Sequence, residues 1–130
     1  MAGWLGRRIA YCLLCVASLG AVLLFYQGNT TVNAHFILTV GLAGATSAAF
    51  YGWLPLYLPE LFPTRVRATG QGFGFNFGRI IAAVGALQVP VLMGKPPDYA
   101  RACSQLALIY VAGLVVIWLA PETRGRPLPE

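Results

Sequence analysis

A chain of 130 residues that is 58% hydrophobic and only 10% charged is not built for water, because soluble domains carry about 25% charged residues. Its net charge of +5 does not indicate a nucleic-acid partner, since the nine basic residues are scattered at segment ends and not gathered on one face. Three cysteines give no disulfide framework.

The Arg7-Arg8 pair runs into an apolar stretch with no small-residue cleavage site. Residues 9–26 therefore read as a spanning helix and not as a removable signal. Cys12 and Cys15 have redox or metal spacing, but they sit in an apolar run without a histidine and read as packing. The uncharged link from Gln27 to Asn33 contains Asn29-Thr30-Thr31, a glycosylation acceptor pattern in a loop too short to favour its use.

The second expected span covers residues 35–58, with His35, the sole histidine, at its outer end as an interfacial residue. Gly41, Ala45, Ala49 and Gly52 form a small-residue stripe, and Pro55 and Pro59 are expected to bend or end the helix. The third span, 68–93, spaces Gly70, Gly74, Gly78 and Ala82 four apart and carries Gln71, Asn76 and Arg79. A fourth span, 102–120, is again purely apolar. The polar second and third spans are expected to face protein, and the first and fourth to meet more lipid.

Arg7, Arg8, Arg65, Arg67, Arg124 and Arg126 fall on one side of a four-span bundle. The opposite side has Lys95 and Arg101 against Asp98. The positive-inside rule then puts both termini in the cytoplasm.

Arg79 lies twelve residues beyond Arg67, roughly 18 Å along a helix. That is near the midplane of a core about 30 Å thick, too deep for snorkelling. No acid occurs within the four spans, the acids being Glu60, Asp98, Glu122 and Glu130. Two readings stay open. Arg79 either satisfies carbonyls or an acid from another helix, or it binds an anionic solute. Enzyme chemistry finds no nucleophile–base–acid set, metal cluster or phosphate loop in the sequence, so no enzyme, metal or cofactor is expected.

Four stretches resemble the C-terminal third of a major facilitator superfamily transporter. They are Gly3-Trp4-Leu5-Gly6-Arg7-Arg8, the run from Pro59-Glu60-Leu61-Phe62-Pro63-Thr64 to Gly70, Phe75-Asn76-Phe77-Gly78-Arg79, and Pro121-Glu122-Thr123-Arg124-Gly125 with its tail. The first departs from the family pattern in lacking an Asp-Arg ahead of Gly-Arg-Arg. The resemblance is to the metabolite:proton symporter and sugar-porter-like branch. It implies an all-α membrane protein in which residues 1–130 supply four transmembrane helices, numbers nine to twelve, of a partial major facilitator superfamily fold. It further implies a cytoplasmic charge network of Arg7, Arg8, Glu60, Arg65, Arg67, Glu122 and Arg124 that latches one conformation. Arg126 and Glu130 are read instead as exposed pairs of little energetic weight.

The function expected on this basis is a piece of a secondary transporter for a small organic solute such as a carboxylate or sugar. Its partners would be the lipid bilayer, the solute, protons as coupling ion and the missing N-terminal transporter helices. The expected location is the plasma (inner) membrane. Arg79, Asn76, Thr46, Tyr51 and Phe50 are the expected pathway residues. One alternative is a small oligomeric four-helix transporter, disfavoured because 9–26 lacks the glutamate such exporters carry. Another is a structural membrane remnant that moves nothing.

Overall fold

The computed structural model describes residues 6–125 and 127–129. Residues 1–5, Arg126 and Glu130 lie outside the described residues, and with them the Gly3-Trp4-Leu5 part of the first motif and both exposed-pair assignments.

Among the described residues five helices follow one another: α1 (Arg7–Gly28), α2 (Ala34–Leu61), α3 (Arg67–Met93), α4 (Tyr99–Leu106) and α5 (Ile109–Leu119). No strand occurs among the described residues. Four segments are long and apolar enough to cross a membrane: α1, α2, α3, and α4 with α5 as one stretch of 21 residues. The 22 residues of α1 reach about 33 Å at 1.5 Å each, which matches a hydrocarbon core about 30 Å thick.

Local chemistry sets the helix ends. Asn33 caps α2 by accepting from the Phe36 N–H at 2.9 Å, and Asp98 caps α4 by accepting from Arg101 N–H at 3.0 Å. α2 continues through Pro55 and Pro59 to Leu61 without ending. Each proline lacks an N–H, so the carbonyls of Tyr51 and Pro55, four residues back, lose their helical donor. The fourth span starts at Tyr99 and is not one helix over 102–120. It tightens at Ala107–Leu108, where Leu108, Tyr110 and Val111 donate to Gln105, Ala107 and Leu108, three residues back. No glycine or proline marks that place in the sequence.

α1 is the hub, packing against α2, α4 and α5. The residues it buries are small: Ala10, Cys15, Ser18 and Ala21. Its Leu13, Val16 and Leu24 point outward. This is the membrane pattern, in which small side chains let helices approach and large apolar ones meet lipid. At Gly113 on α5 an added Cβ would stand 3.1 Å from the Tyr11 hydroxyl and 3.2 Å from Cys15 Sγ, so glycine allows that crossing. By contrast α3 has no buried residue. Within this chain the apolar first helix is thus the one the others pack around, and the polar third buries no residue. Of the two stripes, Gly70 and Gly74 meet α2 or the turn after it, whereas nothing lies within 4 Å of a Cβ built at Gly41, Gly52 or Gly78.

Candidate functional site

α2 and α3 meet along a groove of about 440 Å3 that holds Arg79. α2 contributes Ser47, Phe50, Tyr51, Leu54 and Leu58, at positions i, i+3, i+4, i+7 and i+11 and so on one helical face. α3 contributes Phe75 and Arg79, with Gly74, Gly78 and Ala82 keeping the wall low. Twelve residues of α3 precede Arg79 and fourteen follow it, which puts it at the middle of the helix. Its guanidinium lies 4.7 Å from the centroid of the Phe75 ring, one turn back, in cation–π contact. Tyr51 faces Phe75 across the groove at 6.3 Å between centroids. Among the described residues no acid stands within ion-pair distance of Arg79.

The expected pathway residues do not all converge. Phe50, Tyr51 and Arg79 line one groove. Asn76 lines a neighbouring groove with Gln71 and Pro55, and Phe75 belongs to both. The Asn76 amide donates back to the Gly72 carbonyl at 2.8 Å. Thr46 stands outside both grooves, its hydroxyl bonded to the Leu42 carbonyl of its own helix at 3.0 Å. The residues not singled out from sequence are Ser47, Leu54, Leu58 and Phe75. Phe75, one turn before Arg79 on the same helix, was the one whose spacing gave a signal.

A second site lies where the two ends of the described chain meet the α2–α3 turn. The first N–H groups of any helix lack internal partners. In α1 they are met from far along the chain: Glu122 accepts from Arg7 N at 2.9 Å and from Arg8 N at 3.1 Å, and also from Arg124 N. An anion at a helix N-terminus is favourable to the dipole as well. Burial alone would raise the Glu122 carboxyl, but these backbone donors outweigh it and hold its pKa below the ordinary carboxylate value. The converse holds for Arg8, whose guanidinium donates to the Ala120 carbonyl just past the end of α5.

The Arg7 guanidinium forks onto both oxygens of Glu60, and Thr123 donates to the same carboxylate. Arg7 sits at a helix start and Glu60 at a helix end, each the wrong sign for its dipole. Pairing them offsets both. Arg67 makes no acid contact among the described residues. It donates to the carbonyls of Pro59, Phe62 and Pro129, which closes the turn against the tail. Arg65 is exposed and Arg124 joins only through its backbone N–H. Trp53 and Tyr57 are buried beside α1. The Trp53 indole donates to the Arg7 carbonyl and the Tyr57 hydroxyl to the Pro121 carbonyl at 2.7 Å.

At the opposite end, Asn29 donates to the Phe25 carbonyl and to Thr39 Oγ1, and His35 Nδ1 lies 2.9 Å from its Oδ1. The Asn29 amide is thus occupied in tying α1 to α2.

Four membrane-length segments among the described residues, with an arginine midway along one of them, define an integral membrane protein. The profile of the sugar (and other) transporter family matches residues 4–130, and the chain belongs to that family. It is 34% identical to a probable 4-methylmuconolactone transporter of Cupriavidus pinatubonensis, over 93% of this chain and 28% of that protein. A beta-alanine transporter of Drosophila melanogaster is 32% identical over 98% of the chain and 20% of its own length. A low affinity inorganic phosphate transporter of Medicago truncatula is 37% identical over 82% of the chain and 19% of its length. The chain therefore spans less than a third of each of these relatives. Their names are those of membrane carriers and not of enzymes.

Proposed function

We propose that this chain forms the last four helices of a proton-coupled transporter for a small organic anion, with Arg79 as the charge that receives the solute. The observation that carries the reading is an acid-free groove holding a guanidinium halfway along α3. A carboxylate is the natural partner there, because guanidinium presents paired donors to it and a lone midplane charge is costly. Phe50, Tyr51 and Phe75 supply an apolar wall for the solute's carbon skeleton, while Asn76 and Thr46 adjoin the pathway without lining this groove. Phosphate, named for one relative, has the same charge complementarity but makes no use of the aromatic wall.

The cluster of Arg7, Arg8, Glu60, Arg67, Thr123, Glu122 and Arg124 acts as a latch on the cytoplasmic face of the plasma membrane. It ties α1, the α2–α3 turn and the tail while the substrate end is open, and loosens as the halves of the carrier rock. The acid that carries the proton lies in the helices preceding these four.

The test is a chimera in which the chain replaces the matching segment of the Cupriavidus relative, reconstituted in proteoliposomes. The chimera is expected to take up that relative's solute, and the chain alone to take up nothing. Flux through the chain alone would favour a self-sufficient four-helix oligomer. A well-inserted chimera without flux would favour a non-transporting remnant.

A further inference from the structure

A second groove, of about 700 Å3, lies between the C-terminal end of α1 and helix α4, at the end of the bundle away from Glu60 and Glu122. Its wall grades from charged to apolar. Gln27, Asp98 and Arg101 are among its polar lining residues, and Leu23 and Leu108 among its apolar ones. Because α1 is as long as the hydrocarbon core is thick, Gln27 stands at headgroup height and Leu23 about one turn inside.

Two observations converge on one kind of occupant. Asp98 uses Oδ1 to cap α4, and Arg101 is paired with no acid among the described residues, so the rim offers both an anion and an uncommitted guanidinium. Below the rim, Leu108 is exposed and continues the apolar floor toward the lipid-facing surface of α5. A zwitterionic headgroup matches the rim, with phosphate on Arg101 and ammonium on Asp98. Acyl chains would follow Leu23 and Leu108.

We infer that the α1–α4 groove is a binding site for a phosphatidylethanolamine-type phospholipid of the leaflet facing away from the chain ends. The inference depends on the chain crossing the membrane and not on transport, so loss of uptake would leave it standing. Basic clefts between membrane helices are a recurring way to hold headgroups.

The test is native mass spectrometry of the full chain released from vesicles of phosphatidylcholine containing equal phosphatidylethanolamine and phosphatidylglycerol. Wild type is expected to retain one phosphatidylethanolamine in at least fivefold preference to phosphatidylglycerol. Arg101→Gln should abolish that retention, and Asp98→Asn, which keeps the cap, should abolish the preference. Lys95→Gln, near the same end but outside the groove, should change neither. Equal retention of both lipids by wild type, or an effect of Lys95→Gln as large as that of Arg101→Gln, would overturn the assignment. A lipid-free dimer would also overturn it, since the groove would then belong to a second copy.

Discussion

Helices α1 and α3 are of similar length but opposite in kind. α1 has no charge beyond Arg8, and it is the helix the others pack around. α3 carries Gln71, Asn76 and Arg79, yet buries nothing in this chain. Lipid is a poor neighbour for the second set and a good one for the first. The contrast is between a helix that packs the bundle and one that displays its polar side chains on an open groove. The α1 hub holds the fold, while the α2–α3 groove holds the arginine proposed to receive the solute.

Substitutions can break this division of labour. The largest effect is expected from Arg79→Ala in the chimera. Uptake should fall tenfold or more, in keeping with one lost charge-assisted hydrogen bond of about 1.5–3 kcal/mol, with membrane insertion unchanged. Normal uptake kinetics would remove Arg79 from the pathway. Next comes the pair Gly70→Ala and Gly78→Ala. A Cβ at Gly70 would lie 2.6 Å from the Phe62 ring and force the turn to shift, at about 1–3 kcal/mol. At Gly78 it meets open space, so the isolated chain should be indifferent. Thermal melts of the two variants in detergent measure the difference, and equal melting would contradict the packing described.

Glu122→Gln is expected to cost about 1 kcal/mol by weakening the cap on α1, and in the chimera to slow turnover without altering solute choice. The wild-type cap also predicts a pH dependence. A carboxyl held below its ordinary pKa stabilises fully above the unfolded value of about 4.3 and loses that stabilisation as pH falls through the lowered one. Acid melts of wild type should therefore drop more steeply than those of Glu122→Gln. A changed solute profile at normal turnover would contradict the latch. The smallest effect is that of Tyr57→Phe, which removes one hydrogen bond to Pro121 and about 1 kcal/mol, read as a modest drop in melting temperature.

The four spans were legible because bilayer thickness imposes a length on apolar runs that composition reveals directly. The tightening at Ala107–Leu108 was not, since no breaker residue stands there and only tertiary packing shows it. Arg79 stood out by its depth alone. Its neighbours did not, because deciding which face of α2 meets α3 needs the two helices side by side. Thr46 shows the limit: its position suits a pathway, but its hydroxyl is spent on its own helix. Trp53 and Tyr57 show another, being four apart on the face of α2 turned to α1 and not to the groove.

The most direct test of the groove is solute protection of Tyr51→Cys in the chimera, with Cys12, Cys15 and Cys103 replaced. A membrane-impermeant thiol reagent should label position 51 through the pathway. Saturating carboxylate solute should slow that labelling several-fold, and the protection should vanish when Arg79→Ala is added. Labelling at a surface rate, unaffected by solute with Arg79 present, would contradict a pathway between α2 and α3.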